Sequence, residues 1–220
     1  MEEKLKLIFQ PDELIETNIG SLKIIKSLGK GKSGYSYLAE SEHKNLVLKV
    51  MHDEPVPYYS FEIDKVASES NAYELLKALN IPVPEMYPVS QKGNYLIKEF
   101  IPGITGAEWI IDGKENEDVI SQLFNMANIM ERNKFNLDYF PSNFVVNDGQ
   151  LFYVDYEVNN YNPEWDLKNW GIYYWANKEG FRKFLKEGDA SAINIDVNKG
   201  LPIKGPFEDQ VMEWIDTYAM

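Results

Sequence analysis

Short apolar runs dominate the first hundred residues. Leu22–Leu28 predicts a strand that runs into Gly29-Lys30-Gly31-Lys32-Ser33-Gly34. Tyr35–Glu40 and Leu46–Met51 predict two more strands, with Glu42–Asn45 as the turn between them. From about Phe61 to Asn80 the spacing changes to three and four, with Ile63, Val66, Ala67, Ser70, Tyr73 and Leu76 on one helical face. Ile81-Pro82-Val83-Pro84 ends that helix, because proline cannot continue it. Met86–Val89 and Asn94–Phe100 predict two further strands, and Pro102-Gly103 then breaks the chain. In the second half, Asn116–Arg132 places Val119, Ile120, Leu123, Phe124, Ala127 and Met130 on one face. A loop over Asn133–Ser142 precedes a hairpin, Phe144–Val146 with Leu151–Val154, turned by Asn147-Asp148-Gly149. Pro163 opens a helical stretch to about Lys186, and Phe207–Tyr218 predicts a last amphipathic helix.

The order gives a strand-rich first lobe holding one helix, residues 1–100, and a helical second lobe with an embedded hairpin, residues 101–220. The fold class is α+β in two lobes, with the boundary over residues 99–103. Composition changes this picture by exclusion. The chain has no cysteine, which removes disulfides, thiolate-bound zinc and thiol catalysis together. Its net charge of -13 argues against nucleic-acid partners, which need a basic surface. An acidic field favours a cationic substrate over an anionic one, although solubility alone accounts for the same charge. Met1–Gln10 lacks the apolar core of a signal peptide, and no stretch approaches the roughly 20 apolar residues of a membrane span. The expectation is a soluble, cytoplasmic protein.

Five features of the sequence carry candidate chemistry. Gly29-x-Gly31-x-x-Gly34 lies between two predicted strands, so it suits a hairpin covering phosphates better than a dinucleotide-binding strand–helix turn. A Walker loop would need glycine at position 26, which is Lys26. By itself the pattern reads as readily as a flexible turn. Lys49, inside an apolar strand, is either a snorkelling edge residue or a cation for nucleotide phosphates. In the second role it needs a carboxylate from the following helix, where Glu69 and Glu74 are candidates. Asp138 and Asn143, five positions apart in a loop before a strand, suit proton acceptance and Mg²⁺ binding, or an Asx turn. Asp155 ends the next strand, where a carboxylate can chelate Mg²⁺ or close a turn. Asp166 starts a helix or braces the loop. The ordered set favours nucleotide chemistry more than any single member does.

In that order the residues resemble the protein-kinase-like superfamily, and most its small atypical branches: the aminoglycoside and choline phosphotransferase type, and the RIO and lipopolysaccharide kinase type. The resemblance runs from about Leu22 to Trp175. Tyr95-Leu96-Ile97-Lys98-Glu99-Phe100-Ile101-Pro102-Gly103 is similar to the hinge, which implies that the backbones of Glu99 and Ile101 hold adenine. Asp138-x-x-Pro141-x-Asn143 resembles the phosphotransferase loop, and Val154-Asp155-Tyr156-Glu157 the metal-binding segment. The resemblance implies a two-lobed kinase-like fold with ATP and Mg²⁺ as cofactors. The distance of Glu69 from the Pro82-Val83-Pro84 break is similar to that in related kinases, which implies Glu69 as the partner of Lys49, with Glu62 and Glu74 solvated. Gly29, Gly31 and Gly34 would cover the phosphates, Lys49 with Glu69 would grip them, Asn143 and Asp155 would hold the metal, and Asp138 would act as the base. The departures are Asn136 for the loop histidine, Leu137 after it, Ser36 for a valine and Lys98 at the gatekeeper position. Only ten positions separate Asp155 from Trp165. That is short for a peptide platform, so the expected acceptor is a small hydroxylated molecule, with a protein serine or threonine as the alternative. A nucleotide-binding pseudokinase scaffold and an acidic interaction module are the readings of other classes.

Overall fold

The computed structural model describes residues 4–42, 44–54, 64–112 and 117–219. The chain is α+β, with an antiparallel sheet first and most of its helix later. It divides into two compact units, Met1–Ala78 with Val83–Ile101, and Leu79–Pro82 with Pro102–Met220.

In the first unit five strands form one antiparallel sheet in sequence order: β1 (Leu14–Thr17), β2 (Gly20–Lys30), β3 (Gly34–Ser41), β4 (Lys44–Met51) and β5 (Tyr95–Glu99). The helix α1 (Lys65–Ala78) falls between β4 and β5. Strand β4 is apolar on both sides because both sides are covered. Leu46, Leu48 and Val50 enter a core with Ile24, Tyr37 and Ile97, whereas Met51 meets Leu96 and Val66 of α1. Side chains alternate along a strand, so Lys49 lies on the α1 side. Asp64 caps α1, its Oδ1 accepting from the amides of Val66 and Ala67 at 3.0 and 3.2 Å. Val66, Glu69, Tyr73 and Leu76 form its buried stripe. Phe61–Ile63, Glu62 among them, and His43 of the predicted turn lie outside the described residues.

Two features depart from expectation. Strand β1 has no clear sequence signal. The predicted strand Met86–Val89 is instead a segment with isolated bridges, Met86 to Lys98 and Ser90 to Tyr95. Pro84 and Pro88 lack the amide protons that a continuous ladder needs.

The second unit opens with β6 (Ile104–Thr105) and α2 (Gly106–Asp112), followed by α3 (Glu117–Arg132), β7 (Phe135–Leu137), β8 (Phe144–Asn147), β9 (Gln150–Tyr153) and β10 (Val158–Asn160). A wide helical turn, Leu167–Gly171, then runs into α4 (Ile172–Ala176), α5 (Lys178–Glu187), β11 (Asn194–Asp196), β12 (Leu201–Pro202) and α6 (Glu208–Tyr218). Asn116, the predicted start of α3, lies outside the described residues. The buried face of α3 is the predicted one, from Val119 to Met130. The β8–β9 hairpin turns at Asp148 and Gly149, both at positive φ (48° and 82°), as a tight hairpin turn requires. Strand β10 pairs antiparallel with β7, so part of the short stretch between Asp155 and Trp165 is held as a strand. The helical stretch predicted after Pro163 is broken twice. Asp166 accepts from the Asn169 amide at 2.7 Å and Asn177 from the Gly180 amide at 2.9 Å, and each side chain starts a new turn. Among the described residues no helix is long and apolar enough to cross a membrane.

Candidate functional site

The first-unit residues gather around β4 and α1. Lys49 and Glu69 form an ion pair at 2.6 Å, and both side chains are buried. The register of β3 on β4 sets Ser36 opposite Lys49, so a small side chain borders the lysine there. Glu69 occupies a position of the buried α1 stripe, three residues after Val66 and four before Tyr73. A carboxylate in an otherwise apolar stripe is the sequence signal for this pairing. Glu74, the other described candidate, is exposed.

The glycine-rich loop between β2 and β3 is shaped by its own backbone and by two neighbours. Gly29 has φ +150°, a region open to glycine, at a bulge in β2. A Cβ on Gly34 would lie 2.6 Å from the Val50 carbonyl oxygen, so only glycine permits this close approach to β4. The Gly31 amide donates to the Gly34 carbonyl at 2.9 Å, and the His52 amide to the Ser33 carbonyl at 3.0 Å. Buried His52 accepts the Glu54 amide on Nδ1 at 3.2 Å, which leaves Nε2 to donate to the Gly31 carbonyl at 3.1 Å. Buried Lys65 donates to the His52 carbonyl, and burial lowers the pKa of its ammonium.

Sequence reasoning missed Ser33. Its hydroxyl donates to Glu69 Oε1 at 2.8 Å, the same oxygen that takes Lys49. Glu69 Oε2 is buried and accepts nothing. At the predicted hinge, Glu99 donates its amide to the Glu85 carbonyl at 2.8 Å, and its carboxylate accepts the Glu85 amide at 3.2 Å. Of its backbone groups only the carbonyl could then serve a base. Ile101 is buried at the end of the unit, and Lys98 is buried in β5.

In the second unit, Asp138 and Asn143 belong to one hydrogen-bonded arrangement that reaches Val154, the residue before Asp155. Asp138 Oδ1 accepts the Phe140 amide at 3.1 Å, the Asx turn available from the sequence. Pro141–Asn143 forms a single 3₁₀ turn. Asn143 Nδ2 donates to the Asp138 carbonyl at 3.2 Å, and the Asn143 carbonyl accepts the Val154 amide at 2.9 Å. The turn thereby ties the loop to the residue preceding Asp155. Aromatic packing anchors the loop: Phe140 meets Tyr174 at 5.1 Å, and Trp175 Nε1 donates to the Tyr139 carbonyl at 3.0 Å.

Tyr153, on β9, is a second residue the sequence did not reveal. Its hydroxyl donates to the Glu157 carbonyl at 2.9 Å and accepts the Asp138 amide at 3.4 Å. Burial raises its pKa well above the ordinary value, and the charges of Asp155, Asp138 and Glu157 add to the effect. One phenol therefore senses three carboxylates. Asp166 caps the turn at Leu167–Gly171 and accepts from Tyr161 at 3.2 Å, which matches its reading as a helix-start residue. Asn136 is buried, donates to the Asn162 carbonyl at 2.8 Å, and leaves its Oδ1 without a partner.

Among the described residues no cluster of three or more His, Cys, Asp or Glu is placed to hold a metal. The donor set at Asn143 and Asp155 is oxygen only. With Nδ2 of Asn143 bound to Asp138, its amide Oδ1 is the atom left for ligation. Such a set fits Mg²⁺, which completes its shell with water and phosphate oxygens and seldom uses an all-protein cage. No protein-family model matches the chain and no curated protein is significantly similar to it, so the functional reading rests on these residues and their geometry.

Proposed function

We propose that the chain is an ATP- and Mg²⁺-dependent phosphotransferase of protein-kinase-like fold that acts on a hydroxyl group. The observation that carries the reading is the Lys49–Glu69 pair at 2.6 Å, a cation buried on one side of a strand and fixed by a helix carboxylate. It stands beside a glycine loop of the spacing that covers phosphates. A buried lysine held in this way costs desolvation, and apolar residues of similar volume would often serve stability as well or better.

In this reading Gly29, Gly31 and Gly34 let the loop backbone approach phosphates closely, and Lys49 supplies positive charge to the α and β phosphates. Asn143 and Asp155 would hold Mg²⁺, which would supply positive charge to offset the charge developing on the phosphates. Asp138 orients the acceptor hydroxyl and takes its proton. The acceptor oxygen bonds to the γ-phosphorus, the bond to the β–γ bridging oxygen breaks, and ADP leaves. Catalysis of this kind is mostly positioning and charge stabilisation. The carbonyl of Glu99 and the backbone of Ile101 would meet the adenine edge.

The short stretch between Asp155 and Trp165 favours a small acceptor over a protein serine or threonine, because it leaves little chain for a peptide platform. Asp138→Ala is expected to lower turnover at least about a thousandfold and to leave ATP binding within about twofold of wild type. Steady-state rates and calorimetric titration with Mg-ATP check both halves. An undiminished rate would remove Asp138 from this role.

A further inference from the structure

The glycine-rich loop carries a hydroxyl that reaches across to α1. Ser33 Oγ and Lys49 Nζ both bond to Glu69 Oε1, at 2.8 and 2.6 Å. The second oxygen, Oε2, is buried and accepts nothing. A buried carboxylate oxygen without a donor is unfavourable, so a freely rotating Glu69 would distribute its two donors over both oxygens. Something therefore holds the carboxylate in this orientation. Ser33 is itself held, since its carbonyl accepts the His52 amide at 3.0 Å and His52 is anchored again at Gly31 and Glu54.

We infer that Ser33 is a positioning residue of the proposed phosphotransferase, acting through Glu69 to fix where Lys49 is held. The inference rests on the reading of Lys49 as the phosphate-binding cation, and it adds a coupling that the glycine spacing does not imply. The loop and the ion pair become one device. A substrate phosphate that draws on the Ser33 hydroxyl also changes how firmly Glu69 retains the lysine.

The experiment uses the full chain in four forms: wild type, Ser33→Ala, Ser33→Thr and Glu69→Gln. Trace acetylation by acetic anhydride at one pH, without nucleotide, is read at Lys49 by peptide mass spectrometry. The melting temperature of each variant establishes that it is folded. Ser33→Ala is expected to raise Lys49 acetylation about three- to tenfold, towards the Glu69→Gln value, the range of one typical intramolecular hydrogen bond. Ser33→Thr keeps the hydroxyl and is expected to restore the wild-type rate. In parallel, Ser33→Ala should raise the KM for ATP more than it lowers kcat. Unchanged or slower acetylation in a folded Ser33→Ala chain overturns the inference, as does a Thr variant that behaves like Ala. Absence of ATP turnover in wild type, with acetylation still raised in Ser33→Ala, overturns the phosphotransferase reading and leaves the Ser33–Glu69–Lys49 coupling standing.

Discussion

Lys49 shows how much one position can decide. An ammonium group in the middle of an apolar strand is tolerated only beside a counter-charge, and the α1 stripe supplies Glu69. Truncating one member of such a pair leaves the other charge buried. Glu69→Ala is therefore expected to destabilise the first unit by about 3–5 kcal/mol in chemical denaturation. The double replacement Lys49→Met with Glu69→Leu removes both charges, and it is expected to regain most of that loss while binding no ATP. This contrast separates the structural contribution of the pair from its proposed task. Both residues could be picked from the sequence: a lone lysine interrupts an apolar run, and of the three helix glutamates Glu69 lies at the distance from the Pro82-Val83-Pro84 break that the resembled kinases show. Ser33 could not, because its contact spans 36 positions and depends on how a flexible loop folds back. Local periodicity carries no record of such a contact.

At the scale of elements, the β8–β9 hairpin carries the second group of residues. Asn147-Asp148-Gly149 was readable because a tight turn needs two residues that accept positive φ. The ends of the hairpin then set the loops: Asn143 precedes β8 and Asp155 follows β9. Tyr153 braces these ends through Asp138 and Glu157. Tyr153→Phe keeps the ring packed and removes both hydrogen bonds. It is expected to cost about 1–3 kcal/mol of stability and to lower kcat about tenfold with little change in ATP affinity. Denaturation curves and steady-state kinetics check this outcome, and a variant with full activity would show that the brace is dispensable. The elements least legible in sequence are those made by pairing with distant partners. Strand β10 exists because β7 offers it an edge, and the run at Met86–Val89 fails as a strand because Pro84 before it and Pro88 within it cannot donate. Asp166 and Asn177 broke a long helical pattern by capping within it, which a period of three and four does not display.

For the whole molecule, buried and half-buried tyrosines make the response to alkaline pH testable. Tyr139, Tyr153 and Tyr174 have pKa values raised chiefly by burial, and Tyr161 is pushed up to about 12 by burial with Asp166 and Glu131 beside it. In the unfolded chain these phenols ionise near the ordinary value of 10.0. Their folded pKa lies higher, so their contribution to stability is complete below pH 10 and is lost as pH rises from there. Each phenol that stays neutral when folded contributes a slope of about 1.4 kcal/mol per pH unit in that window. Melting temperature is expected to fall steeply above pH 10, with tyrosinate absorbance appearing together with unfolding. Absorbance that rises well before unfolding would contradict this. The acidic surface, at a net charge of -13, leaves the acceptor to be found by experiment, with cationic hydroxylated molecules favoured by the field.

The central claim concerns transfer of phosphate from ATP, and one measurement addresses it directly. ATP consumption by the full chain with Mg²⁺ can be screened against aminoglycosides, amino alcohols, sugars and generic protein substrates. The account predicts consumption that depends on one class of hydroxylated acceptor, is lost in Asp138→Ala, and yields a phosphorylated product in equal amount to ADP. ATP that binds without being consumed against any acceptor would contradict it and favour a nucleotide-binding scaffold.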